Sequence, residues 1–375
     1  MKVPYFLPWI NDEDKKAVLR SLDQRWLTNG PFLKKFEKGI CDFLGTKYAQ
    51  GVGSATQALH LSLRAANIKA GDEVIVPTFT FVATANAVKY CNAKPVLVDV
   101  DPLTFNILPS EIEKKINKKT CAVIVVHYGG QSCDMDEILK IAKKNNLIVI
   151  EDCAHAFGST YKKVSCGNIG KTGCFSFYPT KIITTGEGGA ISTNDKNFLR
   201  RIRILRSQGM DISSAEREEN LEWKYDIIDL GYNYRMDEIR ASLGLSQLKR
   251  IKEINKKREK IATIYDQKLK NIPGLITPYK KPNRNHIYHL YTIRITKDYH
   301  ISRNELFKKL NKKGIGASVQ YIPIHKMTLY KKEYENNSKD FPNADLLKDQ
   351  VLSLPIFPTM TTKQIERVIT VLRKN

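Results

Sequence analysis

The sequence predicts an α/β protein with a mainly parallel sheet covered on both faces, followed by a smaller α/β unit. Short apolar runs recur at residues 74–76, 96–98, 122–126 and 147–150, each bounded by polar residues and shorter than an ordinary helix. Helix-like stretches separate these runs, and such alternation belongs to parallel sheets whose crossovers cover both faces. At 375 residues and 42% hydrophobic content, the chain has material for one large core and one small one.

The elements follow in order. Ser54 opens a helix that runs to about Ala66, with Leu59, Leu63 and Ala66 on one face. The runs from Val74, Val96, Ala122 and Leu147 are the buried strands, and further strands at Cys174 to Phe177 and Ala190 to Thr193 complete a large domain, set at residues 1–250. A long helix near Met236 to Asn255 leads into a small domain, residues 251–375, where Leu290 to Ile295 alternates like a strand.

A formal charge of +22, from 61 Lys plus Arg against 39 Asp plus Glu, raises nucleic-acid binding as a hypothesis. The Lys249 to Lys260 stretch argues otherwise. Acidic residues interleave with it, and Leu248, Ile251, Ile254 and Ile261 recur at helical spacing, as on a solvated helix with one buried face. The seven cysteines are scattered without Cys-x-x-Cys pairs, which argues against a zinc site and fits reduced thiols in the cytoplasm. No run approaches the roughly 20 apolar residues of a membrane helix. The expectation is a cytoplasmic enzyme with no metal, no membrane contact and no nucleic-acid partner.

The tract Phe175-Ser176-Phe-Tyr-Pro-Thr-Lys181, followed by Gly186-Glu187-Gly-Gly189, sets one lysine between a strand-like run and a glycine-rich bend. Lysine condenses with an aldehyde only when it is held beside it and can shed its proton, which requires a fixed, partly desolvated place. Most lysines here are surface charges, so the surroundings must single this one out. Asp152 lies at the C-terminal end of an apolar run, where ligands bind in open α/β sheets. There it can pair with a protonated pyridine nitrogen, or simply cap the following turn. His155 suits a ring hydroxyl or an interior hydrogen bond. Ser176 can reach a phosphate, and the helix start at Ala55 and Thr56 offers free amides and the positive end of a dipole to the same anion.

The stretches Trp26–Pro31, Gly53–Leu59, Gly71–Pro77, Thr80–Ala83 with Phe81, Glu151–Ala156, Phe175–Phe177 with Lys181, and Gly231–Met236 occur in one order. On them the chain resembles, along its whole length, the DegT/DnrJ/EryC1/StrS family of sugar aminotransferases. The resemblance implies an aspartate-aminotransferase-like fold of type I with a seven-stranded sheet, and pyridoxal 5'-phosphate as cofactor, with pyridoxamine phosphate as its amino-carrying form. It implies Lys181 as the cofactor-bonded lysine and proton shuttle, Asp152 at the pyridine nitrogen, and His155 at the ring hydroxyl, where many relatives have glutamine. It further implies Phe81 stacked on the ring and Ala55, Thr56 and Ser176 at the phosphate. Asn233 would reach the phosphate of a neighbouring subunit's cofactor, which implies a homodimer. One departure is Ile182, where relatives commonly carry a polar residue.

Gly186-Glu187-Gly-Gly is similar to the form found in members acting on 4-keto sugars, whereas those acting on 3-keto sugars tend towards Gly-Asp. The resemblance therefore implies conversion of a nucleotide-linked 4-keto-6-deoxy sugar to the 4-amino sugar, with L-glutamate as donor. The alternatives are a 3-keto sugar aminotransferase and a non-catalytic sensor or regulatory protein on the same fold. A related sugar dehydratase carries histidine in the lysine's place, and Lys181 argues against it. Candidate substrate residues are Thr28, in a turn whose family counterpart lies near the sugar nucleotide, and Tyr321 and His325, in a C-terminal stretch that approaches the site.

Overall fold

The computed structural model describes residues 1–212, 223–334 and 339–373. Its central sheet has seven strands, ordered across the sheet as Tyr48–Val52, Gly189–Thr193, Thr172–Ser176, Ile148–Asp152, Thr120–Val126, Glu73–Pro77 and Lys94–Val98. Only Gly189–Thr193 runs against the others, pairing antiparallel with both neighbours. The two-residue periodicity of a strand divides its side chains between two cores. Val74, Val76, Ala122 and Ile124 face the helix Ala55–Ala65, whereas Ile75, Val123 and Val125 pack with Met135 and Ile138 of the helix Met135–Lys144. This two-sided burial is why the strands read as unbroken apolar runs.

A second sheet, antiparallel, joins Leu275–Ile276, Tyr291–Ile295 and Val351–Leu354. With Ile251–Leu269, Arg303–Lys312 and Thr362–Arg373 it encloses a separate core that also takes in Val3. Val3 N donates to the Gly314 carbonyl at 2.9 Å, and Gly316 N donates to the Val3 carbonyl at 2.8 Å.

Two elements differ from the sequence-based expectation. The long helix near Met236 to Asn255 is two helices, Glu238–Leu248 and Ile251–Leu269, because Arg250 departs from helical geometry and forks onto the N-terminal segment. Its Nη1 donates to Asp14 Oδ1 at 3.1 Å and its Nη2 to the Trp9 carbonyl at 2.6 Å. The strand Tyr48–Val52 was not expected, since Gln50 and Gly51 interrupt its apolar character.

The register positions the site. Val52 lies opposite Gly189, Gly189 opposite Ser176, and Cys174 opposite Asp152. The C-terminal ends of three strands and the start of the antiparallel one therefore meet along one edge.

Candidate active site

The anion-binding end is built first. Ser54, in extended conformation, caps the helix Ala55–Ala65: its hydroxyl accepts from Gln57 N at 3.2 Å and its carbonyl from Ala58 N at 3.0 Å. That leaves the first-turn amides of Ala55 and Thr56 as donors without an intrahelical acceptor. A Cβ on Gly189 would stand 2.5 Å from Ser54 C and 2.7 Å from both Ala55 N and the Phe175 carbonyl oxygen. Only glycine lets the strand approach the helix start this closely. Ser176, half-buried, stands across from it.

Asp152 is 5% exposed and held at both oxygens: Thr84 Oγ1 donates to Oδ2 at 2.9 Å and Ala154 N to Oδ1 at 3.1 Å. Burial pushes its carboxyl up, against the pull of those two donors and of Lys181. Lys181 follows the strand in a tight loop, its amide donating to the Tyr178 carbonyl at 2.9 Å. The residue is half-buried and its amine desolvated, which lowers the lysine to about 8, with Asp152 acting in the opposite direction. A lysine so placed sheds its proton near neutral pH, as a carbonyl-condensing amine must. Ile182 turns into the core beside Phe177 and Met236, so the departure from family pattern has a packing reason. The Phe81 ring is 57% exposed, 6.0 Å from the ring of Tyr321.

His155 is buried with both ring nitrogens engaged. Nδ1 accepts from Gly129 N at 3.3 Å, Nε2 lies 2.9 Å from Tyr321 Oη, and the ring lies 4.5 Å from that of His289. Burial, and then Lys181, push His155 well below the usual histidine range. Tyr321 thus joins the Lys181–Asp152 group, but His325 does not. His325 is 3% exposed, with Nδ1 2.7 Å from Thr78 Oγ1 and Nε2 3.0 Å from Asp345 Oδ1, and it fastens the C-terminal stretch to the end of a central strand. Thr28 is exposed in a turn bridged to Asp237, and Asn233 is exposed and bridged through its backbone to Ser207. Among the described residues, neither hydrogen-bonds to the Lys181–Asp152 group.

Two contributors were missed from the sequence. Thr84 was detectable, because it directly follows the matched stretch Thr80–Ala83, and its hydroxyl lies 3.2 Å from that of Thr80. His289 gave no signal, since only the fold brings it to His155. A second buried cluster, His127, Glu151 and Cys153, has potential ligand atoms within 4.8 Å. Glu151 is already saturated by His127 Nε2 and by the amides of Gly167, Ile169 and Gly170, so the cluster ties the sheet to the following loop. A wide hollow of about 660 Å³ near Leu147, Ile169 and Phe198 adjoins the other ends of the strands and lacks these groups.

The donor set suits one cofactor. First-turn amides and a serine hydroxyl match a phosphate, a buried carboxylate matches a protonated pyridine, an exposed aromatic face matches its ring, and a desolvated amine matches an aldehyde.

The family model described as the DegT/DnrJ/EryC1/StrS aminotransferase family matches residues 8–373. The chain is 41% identical to the spore coat polysaccharide biosynthesis protein SpsC of Bacillus subtilis, over 99% of this chain and 96% of that one. It is 40% identical to GDP-perosamine synthase of Caulobacter vibrioides, over 97% and 96%. Among solved structures, the PLP form of Spr1654 from Streptococcus pneumoniae superimposes with a TM-score of 0.92 at 28% identity, over 100% of this chain and 98% of that one. The sheet order, the desolvated lysine and these likenesses agree: the chain belongs to the DegT/DnrJ/EryC1/StrS aminotransferase family, and its cofactor is pyridoxal phosphate.

Proposed function

We propose that the protein transfers an amino group from L-glutamate to a nucleotide-linked 4-keto-6-deoxy sugar, yielding the 4-amino sugar. The observation that carries this reading is the desolvated Lys181 amine beside Asp152 at the C-terminal edge of the sheet. Bound there, pyridoxal phosphate supplies an aldehyde that takes up the amino group and a ring that withdraws electrons. Asp152 holds the ring nitrogen protonated, with Thr84 and the Ala154 amide fixing its two oxygens. Ala55, Thr56 and Ser176 hold the phosphate, Phe81 covers one face, and His155 with Tyr321 stands on the hydroxyl side. Lys181 Nζ, freed by the amino donor, would take the proton from the donor's Cα and pass it to the cofactor's aldehyde carbon.

A nucleotide-linked substrate is supported by the relative named GDP-perosamine synthase and by the +22 charge, which draws anions. Amination at C4 is supported by Gly186-Glu187-Gly-Gly, with Glu187 exposed at the bend. A homodimer is supported by the exposed apolar side chains before Asn233, among them Trp223 at 78% and Leu230 at 75%, which suit a face covered by a second copy. In that dimer Asn233 completes the neighbouring site. We take residues 1–250 and 251–375 as the two domains that frame the cleft, and the cytoplasm as its compartment.

The test is the product mass after incubation with pyridoxal phosphate, L-glutamate and a panel of UDP-, GDP- and dTDP-linked 4-keto-6-deoxy sugars. Exchange of the ketone for an amine on one member is expected, and Lys181→Ala abolishes it. A cofactor-loaded protein that aminates no member overturns the 4-keto assignment in favour of a 3-keto substrate or a regulatory role.

A further inference from the structure

Tyr321 and His155 are 166 positions apart, and their contact exists only in the folded chain. The segment that carries Tyr321 is pinned on every side. Ser318 exchanges backbone hydrogen bonds with Ser353 at 3.1 and 2.8 Å, and Ile324 N donates to the Thr78 carbonyl at 2.8 Å. Gln320 Oε1 accepts from Tyr5 Oη at 2.6 Å, and the Gln320 carbonyl accepts from Tyr128 Oη. The tyrosine ring is thereby seated parallel to His155, edge-on to Tyr128, and 6.0 Å from the Phe81 ring.

The hydrogen-bond directions follow from the partners. His155 Nδ1 accepts from the Gly129 amide, so in the neutral ring the proton sits on Nε2 and is donated to Tyr321 Oη. The imidazole then has no donor left for anything that enters the cleft. The tyrosine hydroxyl does, because it accepts from His155 and keeps its own proton to give. Around this pair the ionisable groups are Asp152 and Lys181 on the sheet side, and Tyr128, Tyr5, His289 and Arg258 from the elements packed against it. Burial pushes the Tyr321 hydroxyl well above its usual range, so it stays protonated and can donate.

We infer that Tyr321 Oη–H is the hydrogen-bond donor to the ring oxygen of the cofactor, and that His155 is the positioning residue that holds it there. The inference rests on the cofactor assignment above and replaces a substrate contact for Tyr321 with a cofactor contact. A donor on that oxygen draws charge from it and weakens its hold on the proton of the adjacent Lys181-linked nitrogen.

The experiment is a pH titration of the visible absorption band of the cofactor-loaded protein, with cofactor affinity measured alongside. Tyr321→Phe is expected to raise the midpoint by about one pH unit, a tenfold gain in proton affinity. His155→Leu, which releases the tyrosine, is expected to reproduce part of that shift, and the double variant to shift no further than Tyr321→Phe alone. His155→Gln, which keeps a side-chain donor, is expected to stay near the wild type. If His155→Leu moves the midpoint and Tyr321→Phe does not, histidine meets the ring oxygen directly and the inference is overturned. A wild-type protein with no visible band, or a Lys181→Ala variant whose band is unchanged, overturns the cofactor assignment instead.

Discussion

Holding Lys181 in a desolvated place works against folding, and that penalty can be measured. Burial takes the lysine from 10.5 to about 8, and a displacement of roughly 2.5 units corresponds to about 3 kcal/mol at 1.36 kcal/mol per unit. The sign follows from proton counting. Between about 8 and 10.5 the unfolded chain binds more protons than the folded one, so stability rises with pH through that window. Below it the penalty is complete, and above it the penalty is gone. Lys181→Met removes the amine while filling the same space, but it also takes a counter-charge from Asp152, so the net gain for the cofactor-free protein is about 2 kcal/mol at neutral pH. For a chain of this size that is a melting-temperature rise of about 2–4 °C. The assay is chemical or thermal denaturation of both apo-proteins across pH. The reasoning fails if the methionine variant is the less stable one at neutral pH, or if its advantage is undiminished above the window. A companion measurement is the rate of cofactor uptake by the wild-type apo-protein, which should rise through a midpoint near 8 as the neutral amine becomes available.

Other expectations are more local. Thr84→Val removes a donor from Asp152, so its carboxyl moves further up and the rate of the half-reaction with L-glutamate falls by about tenfold in single-turnover kinetics. Gly189→Ala drives a methyl group into backbone at Ser54, Ala55 and Phe175, and should weaken cofactor binding by at least about tenfold in an equilibrium titration. Glu238→Gln weakens the carboxylate that accepts the amides of Gly30, Phe32 and Leu33 at the start of the helix Pro31–Leu44, and should lower urea stability by about 1–3 kcal/mol. Mixing inactive Lys181→Ala and Asn233→Ala subunits should restore about a quarter of the sites, whereas no recovery would mean that Asn233 does not serve its neighbour.

The central strands were legible because burial on both faces leaves an unbroken Val/Ile signature, as in Thr120–Val126. Tyr48–Val52 was not, because it stands at the edge of the sheet and carries Gln50, whose side chain bonds Glu37 inside the fold. Lys181 and Asp152 could be read because each lies in a short motif at a strand end. The surroundings of Tyr321 and His325, offered as substrate residues, could not be read, because local sequence says nothing of a partner 166 residues away from Tyr321, and a histidine in a motif looks the same whether it faces a cleft or is clamped between Thr78 and Asp345. The break at Arg250 has no helix-breaking residue to announce it, since Asp14 and Trp9 take hold of that side chain from outside the helix.

The attachment of Val3 and Tyr5 to the second core has a temporal consequence. Tyr5 Oη finds its acceptor 315 positions away on Gln320, the residue that precedes Tyr321. Tyr5 must therefore wait for this partner until a segment 315 positions later has emerged from the ribosome. The floor beneath Tyr321 closes only when both distant segments meet. Such sequence-remote closure is slow. The seat of Tyr321, and with it the contact to His155, is therefore closed only when segments 315 positions apart have met.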